Sequence, residues 1–79
     1  MQLIKFYKDG CAPCVRVDNF LKDLEADFTS INVMKDPAKA AEYNIGFSVP
    51  VVILMDGEQE VKRVAGFNQA ILEEMVSIL

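Results

Sequence analysis

The sequence predicts a single α/β domain over residues 1–79, a four-stranded mixed sheet with helices on both faces. Three observations predict this class. Short apolar runs alternate with segments whose apolar residues recur at helical spacing, which gives the order β-α-β-α-β-β-α. An Asp56-Gly57 pair predicts a tight turn that joins the last two strands as a hairpin. The chain is also 52% hydrophobic and has few Gly and Pro residues, so it can form a packed core.

The first half of the chain predicts a strand, a long helix and a second strand. The first strand covers residues 2–7 (QLIKFY), and the helix runs from about residue 12 to residue 28. One face of this helix is apolar and comprises Val17, Phe20, Leu21, Leu24 and Phe28. The second strand covers residues 29–34 (TSINVM). Because a helix connects the two strands, we expect them to lie parallel, with a right-handed crossover.

The second half predicts a short helix, a hairpin and a final helix. The short helix covers residues 38–43, and the Asp-Pro pair at residues 36–37 suits its start. The hairpin strands cover residues 51–55 and 60–65, the second of which alternates polar and apolar side chains. Asn68 should cap the last helix. The apolar stripe of that helix comprises Ile71, Leu72, Met75, Val76 and Leu79.

Charge and hydropathy together argue against two classes of function. The net charge is −4 and no basic run occurs, whereas a nucleic-acid surface needs clustered Lys and Arg. The acidic residues of the first helix should form its solvent-exposed face: Asp18, Asp23, Glu25 and Asp27. The longest apolar run, residues 49–55, is too short to span a bilayer, and the N-terminus lacks a signal-peptide pattern. We therefore expect a cytoplasmic protein that binds neither nucleic acid nor membrane.

Cys11 and Cys14 are the only cysteines, and the chain contains no histidine. A structural zinc site usually takes four Cys or His ligands, which one chain cannot supply here. A permanent disulfide is rare in the cytoplasm, and one that closes so short a loop constrains the unfolded chain little. The C-x-x-C spacing therefore predicts a redox-active pair that needs no bound metal or cofactor.

The junction of strand and helix gives the two cysteines different surroundings. Cys11 falls at the helix N-terminus, where free N–H groups and the helix dipole favour a thiolate. Lys8 and Arg16 can add positive charge, so we expect an exposed Cys11 thiol with a lowered pKa. Cys14 lies three residues before Val17 on the apolar stripe and should be buried. These positions predict Cys11 as the nucleophile and Cys14 as the resolving thiol.

Three small or rigid residues complete the predicted site. Gly10 leaves the approach to Cys11 open, and we expect Gly10 and Ala12 to face the substrate. Pro13 fixes the backbone φ angle in the first helical turn, where its missing N–H costs little, and should help to set the redox potential.

Over nearly its whole length the chain resembles the thioredoxin-fold redoxins, the family of thioredoxins and glutaredoxins. Residues 11–14 (CAPC) stand where thioredoxins carry C-G-P-C and glutaredoxins carry C-P-Y-C. Residues 48–50 (SVP) resemble the cis-proline segment of the family. The resemblance implies a cis Pro50, with Val49 pairing its backbone with the substrate. Gly66 then lies either in the substrate groove or simply in the turn that enters the last helix.

Three parts of the chain depart from the family pattern. The tryptophan that usually precedes the first cysteine is replaced by Gly10. Thioredoxins carry a buried acid six residues before the first cysteine, where this chain has Lys5. Lys5 therefore either takes the proton from Cys14, or extends to water or pairs with a carboxylate. The glycines and acidic pair with which glutaredoxins hold glutathione are replaced by residues 66–69 (GFNQ).

The resemblance implies a monomeric protein-disulfide reductase that carries electrons from thioredoxin reductase to client proteins, with ribonucleotide reductase as one possible client. Two alternatives stay open. One is a glutaredoxin that glutathione recharges. The other is a thioredoxin-like binding subunit without catalytic activity, or a dimer that shares a metal ion through Cys11 and Cys14.

Overall fold

The structure is a computed structural model that describes all 79 residues. Its elements follow the predicted order. In chain order they are β1 (Gln2–Tyr7), α1 (Ala12–Asp23), β2 (Phe28–Asn32), α2 (Pro37–Glu42), β3 (Val51–Asp56), β4 (Gln59–Ala65) and α3 (Gln69–Ile78). None of these helices combines the length and the apolar character needed to cross a bilayer.

The four strands form one mixed sheet in the order β2-β1-β3-β4. β1 lies parallel to β2, as the helical connection predicts, and antiparallel to β3. β3 and β4 form the predicted antiparallel hairpin, in which Asp56 pairs with Gln59 across the turn. Gly57 in this turn has a φ of +62°, a conformation that glycine adopts without strain. The predicted fold class is confirmed.

The two faces of the sheet carry separate cores because successive side chains of a strand point to opposite sides. The helix-pair face packs against α1 and α3, and its buried residues are Leu3, Val17, Leu21, Val52, Leu54, Val64, Leu72 and Met75. The single-helix face packs against α2, and its buried residues are Ile4, Phe6, Val33, Ala40, Ile45, Val51, Ile53 and Met55. The central strands β1 and β3 supply both faces, which explains their nearly continuous apolar sequences.

The first helix is shorter than predicted: it ends at Asp23, whereas the apolar spacing extended it to Phe28. Glu25 adopts a left-handed conformation with a φ of +56° and stops the helix. Its N–H donates to the Lys22 carbonyl, and the Ala26 N–H donates to the Leu21 carbonyl, which together close the helix end. Phe28 is instead the first residue of β2 and still packs against the helix-pair core.

The second strand ends two residues earlier than predicted because Asn32 closes a turn. Its side-chain oxygen accepts the Met34 N–H at 3.0 Å, and its carbonyl accepts the Asp36 N–H at 2.9 Å. Asp36 then caps α2 by accepting the Lys39 N–H at 3.1 Å, and Asn68 caps α3 by accepting the Ile71 N–H at the same distance. Both predicted caps are confirmed.

Candidate active site

The two cysteines lie where β1 gives way to α1. Gly10 precedes them with a φ of +72°, and a β-carbon at this position would meet nothing within 4 Å, so Gly10 itself borders open space. Cys11 is the N-cap of α1, and its Sγ accepts the Cys14 N–H at 3.2 Å. Ala12 and Pro13 occupy the exposed first turn between them. The helix N-terminus therefore presents an N–H donor directly to the Cys11 sulfur.

The two sulfurs are joined in a disulfide, with a Cα–Cα distance of 5.2 Å. Cys14 is 3% exposed, so its predicted burial is confirmed. The prediction that Cys11 is exposed is wrong for this oxidised state, in which the residue is only 9% exposed. The bond to Cys14 and the Val49 carbonyl, 3.8 Å from its Sγ, cover most of Cys11.

A loop from the other side of the sheet completes the rim of the site. The peptide bond between Val49 and Pro50 is cis, as the family resemblance implies. Pro50 is buried and its carbonyl accepts the Gly66 N–H at 2.8 Å, which joins the loop to the end of β4. Gly66 has a φ of +77° and a half-buried position at the entry to α3. These contacts bring Val49 against the Cys11 sulfur, and Gly66 lies in the turn that enters α3.

The two cations predicted near Cys11 lie in different places. Lys8 lines the same cleft as Cys11, and its Nζ donates to the Phe47 carbonyl at 3.4 Å. Arg16 turns away from that cleft and stacks on the Phe67 ring, with its guanidinium carbon 5.3 Å from the ring centre. Only Lys8 of the two therefore shares the cleft with the disulfide.

Lys5 pairs with a carboxylate, one of the two arrangements that the sequence left open. Its Nζ lies 2.6 Å from Asp18 Oδ1, and the Lys22 Nζ lies 2.8 Å from Asp18 Oδ2. These hydrogen bonds, first that of Lys22 and then that of Lys5, hold the pKa of the Asp18 carboxyl below its usual range. The charge pattern of the helix predicted Asp18 as a solvent-exposed acid. In the structure it is half-buried and forms an ion pair with Lys5.

A single open cleft of about 370 Å³ connects the disulfide with this ion pair. Its lining comprises Lys5, Tyr7, Lys8, Asp9, Gly10, Cys11, Cys14, Val15, Asp18 and Ser30. The sequence predicts a role for both cysteines, both lysines and Gly10 of this set, but not for Asp18. The available signal was its spacing: Asp18 lies four residues after Cys14 and therefore one turn further along the same side of α1.

Exposed apolar side chains flank the disulfide. Val15 in α1 is 58% exposed, and Phe47, whose carbonyl Lys8 contacts, is 64% exposed. A disulfide at a helix N-terminus, next to a cis-proline loop on a four-stranded mixed sheet, defines a thiol–disulfide oxidoreductase with a C-x-x-C centre.

Comparisons with known proteins place the chain within this class. The glutaredoxin family model matches residues 4–60. A thioredoxin-like protein of Bacillus subtilis, YosR, derived from the SPbeta prophage, is 36% identical over 80 residues that cover 100% of this chain and 99% of the relative. The thioredoxin of Chlamydia caviae is 36% identical over 71 residues, which cover 84% of this chain and 69% of that protein.

Solved structures agree with the sequence relatives. Thioredoxin 1 of Thermosipho africanus superimposes with a TM-score of 0.71 at 32% identity, over 99% of this chain and 90% of that one. Mitochondrial thioredoxin 3 of Saccharomyces cerevisiae gives a TM-score of 0.84 at 25% identity, over 99% of this chain and 77% of that one. The chain belongs to the thioredoxin-fold redoxin family, as its resemblance to that family predicted.

Proposed function

We propose that this protein is a cytoplasmic dithiol donor that reduces disulfides in partner proteins, with Cys11 as the nucleophile and Cys14 as the resolving thiol. The observation that carries the proposal is the asymmetry of the pair. Cys11 caps α1, where its sulfur accepts a backbone N–H, whereas Cys14 lies beneath it at 3% exposure. A helix N-terminus favours the thiolate form of the attacking cysteine. Burial keeps the second thiol away from external disulfides, so that it reacts with the mixed disulfide on Cys11.

The cycle needs no bound metal or organic cofactor. The Cys11 thiolate attacks one sulfur of a client disulfide, and the other client sulfur leaves as a thiolate that takes a proton from water. The Cys14 thiolate then attacks the Cys11 sulfur, breaks its bond to the client and closes the Cys11–Cys14 disulfide. The client gains two electrons and the cysteine pair loses two.

The surroundings of the disulfide support a protein substrate. Val15 and Phe47 offer exposed apolar contacts, and the Val49 backbone lies next to the Cys11 sulfur, where an extended client segment would pair with it. Ribonucleotide reductase is one client that the family resemblance suggests. The family resemblance also suggests a monomer as the working unit.

We infer further that a thioredoxin reductase recharges the protein. Pro13 in the active-site turn is the residue that thioredoxins carry, and Asn68 and Gln69 replace the acidic pair with which glutaredoxins bind glutathione. The relatives in Bacillus subtilis and Chlamydia caviae are likewise named thioredoxin-like protein and thioredoxin. A glutathione-recharged glutaredoxin is the second candidate, favoured by the family match over residues 4–60 and by Lys8, which could bind a glutathione carboxylate beside Cys11.

Trapping of clients tests the assignment of the two cysteines. Cys14→Ser should accumulate mixed disulfides with protein disulfides because the first attack survives and the release step is lost. Cys11→Ser, the matched control, should trap almost none. Equal trapping by the two variants would contradict the assignment, and trapping by neither would favour the binding subunit without catalytic activity.

Recharging is tested by NADPH oxidation with insulin as the disulfide substrate. We expect turnover with a thioredoxin reductase from the same source, and little with glutathione plus glutathione reductase. The reverse result would select the glutaredoxin candidate.

A further inference from the structure

Lys5 is the only buried charged residue of the protein, and the proposed cycle gives it no task. It lies in β1 between Leu3 and Tyr7 on the helix-pair face, where the other buried residues are apolar. The residue is 4% exposed, yet it lines the cleft that contains the disulfide. An unpaired buried charge is costly, so Lys5 must have partners that offset the cost of its burial.

The partners of Lys5 all attract an ammonium group. Asp18 Oδ1 lies 2.6 Å from its Nζ. The Nζ also lies 4.6 Å from the centre of the Tyr7 ring and 5.5 Å from that of the Phe28 ring, within the range of cation–π attraction. The side chain is therefore held as a fixed positive charge at the floor of the cleft.

Asp18 is poorly suited to take the proton of a thiol. Each of its two oxygens accepts a hydrogen bond from a different ammonium group, Lys5 or Lys22. Those bonds lower the pKa of its carboxyl, so it binds a proton less readily than an ordinary aspartate does. The three charges together sum to +1, so the group formed by Lys5, Asp18 and Lys22 is a net cation rather than a base.

We propose that Lys5 is a positioning residue that stabilises the thiolate form of Cys14 electrostatically in the release step, an inference that rests on the proposed function. The Cys14 thiol then gives its proton to water in the cleft, not to a fixed carboxylate. The resulting thiolate attacks the Cys11 sulfur of the mixed disulfide, and the client leaves as a thiolate. The charge of Lys5 is unchanged throughout, so electrons and protons balance as in the proposed cycle.

The other charged and titratable groups around Cys14 do not reverse this field. Those that line the cleft come from β1, the following loop and α1, and comprise Tyr7, Lys8, Asp9, Cys11 and Asp18. Lys22 contacts Asp18 from outside this lining, with a side chain that is 67% exposed. β2 contributes only the uncharged Ser30 to the cleft. Lys8 and Asp9 offset each other in formal charge, so the charge that remains comes from the group in which Lys5 and Lys22 share the Asp18 carboxylate.

The test follows the release step by itself. The reduced protein is mixed with dithiobis(nitrobenzoate): Cys11 releases the first thionitrobenzoate, and the attack of Cys14 on the mixed disulfide releases the second. The rate of the second release is measured against pH. In Lys5→Met the midpoint of this profile should rise by about one pH unit, so release below the midpoint should slow about tenfold while the plateau at high pH stays the same. Lys5→Arg should restore the wild-type profile.

Asp18→Asn separates the two possible roles of the pair. If Lys5 acts by its charge, removing the neighbouring anion should lower the midpoint and speed release at low pH. Slower release with a flattened profile would identify Asp18 as the proton acceptor and overturn the proposal, as would an unchanged midpoint in Lys5→Met. Lys62→Met, which breaks the distant Lys62–Glu74 pair, is the matched control and should leave the profile unchanged.

Failure of this inference can be told from failure of the proposed function. Cys14→Ser should abolish the second release altogether. If it does not, the assignment of Cys14 is wrong whatever the Lys5 variants do.

Discussion

The two faces of the sheet have cores of equal size, but the helices that cover them differ in number and length. Each face buries eight hydrophobic residues. The helix-pair face is covered by helices of 12 and 10 residues, whereas the single-helix face is covered by one helix of 6 residues. Only the helix-pair face holds the disulfide and a buried charge. The chemistry thus lies on the face where α1 supplies both the cysteines and the carboxylate that pairs with Lys5.

The single-helix face shows what a short cover requires. A helix of 6 residues is not stable alone in water, so α2 depends on its contacts with the sheet. Ala40 is buried against the strands, and the Tyr43 ring at the end of α2 lies 5.4 Å from the Phe6 ring. This face therefore contributes packing through a few close contacts, and its link to the site is Val49, which packs against this core while its carbonyl lies 3.8 Å from the Cys11 sulfur.

Truncation of one core residue on each face tests whether the faces are equally well packed. Phe6 and Leu21 are both 0% exposed. We expect Phe6→Ala to lower the free energy of unfolding by about 3–5 kcal/mol and Leu21→Ala by about 2–5 kcal/mol, since each leaves a cavity. Urea denaturation of the oxidised protein, followed by circular dichroism, measures both values.

A surface truncation provides the control for these two variants. Val61→Ala, at a residue 46% exposed, should change the free energy of unfolding by no more than about 0.5 kcal/mol. A loss at Phe6 that is no larger than this control would mean that α2 collapses onto the sheet and fills the space. The two cores would then bury the same number of residues but lose different amounts of unfolding free energy on truncation.

The fold was predictable because local signals agree with the tertiary structure. The first, third and fourth strands agree with their predicted ranges within one residue, and the Asp56-Gly57 turn and the two side-chain caps appear where the sequence places them. The error at the end of α1 has a definite cause: Phe28 continues the apolar spacing of the helix but reaches the same core from β2. The apolar periodicity predicts which side chains are buried. At Phe28 it does not show whether the side chain belongs to a helix or to a strand.

The site was predictable to a smaller extent. The C-x-x-C spacing and the cis-proline segment are local in sequence, so both cysteines and Pro50 were identified. The pairing of Lys5 with Asp18 joins a strand to a helix across 13 residues, and either residue alone has several acceptable partners. The low exposure of Cys11 depends on its contact with the Val49 loop, 38 residues away, and the local pattern of that loop does not show how closely it covers Cys11. Long-range contacts, not local ones, account for both gaps.

Removal of the Asp18 carboxylate should destabilise the helix-pair face. Asp18→Asn leaves the buried Lys5 without its anionic partner, and because Asp18 is partly exposed we expect a loss of about 1–2 kcal/mol. The wild-type contribution should depend on pH. The folded-state pKa of Asp18 lies below its ordinary value of 3.8, so the contribution is complete above about pH 5 and is lost as the pH falls through the folded-state pKa.

A variant at a second ion pair, Arg63–Glu60, serves as the control for the pH dependence of Asp18→Asn. Arg63 holds the pKa of Glu60 below its usual range as well, but that pair lies at the surface, where Glu60 is 41% exposed. Glu60→Gln should therefore cost less than about 1 kcal/mol and leave most of the acid sensitivity in place. Urea denaturation between pH 3 and pH 7 (approximate limits) decides the point. If Asp18→Asn unfolds with the same pH dependence as the wild type, the ion pair does not stabilise this face.

The smallest expected effect concerns the helix caps, one on each face. Asp36→Ala removes the cap of α2 and Asn68→Ala that of α3, and each should lower the free energy of unfolding by about 1 kcal/mol. The two variants should differ in which amide hydrogens lose protection against exchange. Because α2 has only 6 residues, its amide hydrogens should exchange faster in Asp36→Ala while those of the sheet keep their protection. In Asn68→Ala the longer α3 should keep all but its first turn, since Leu72 and Met75 hold it in the core. Amide hydrogen exchange under native conditions measures this directly, and equal local loss in both helices would show that the short cover of the single-helix face is no weaker than the long one.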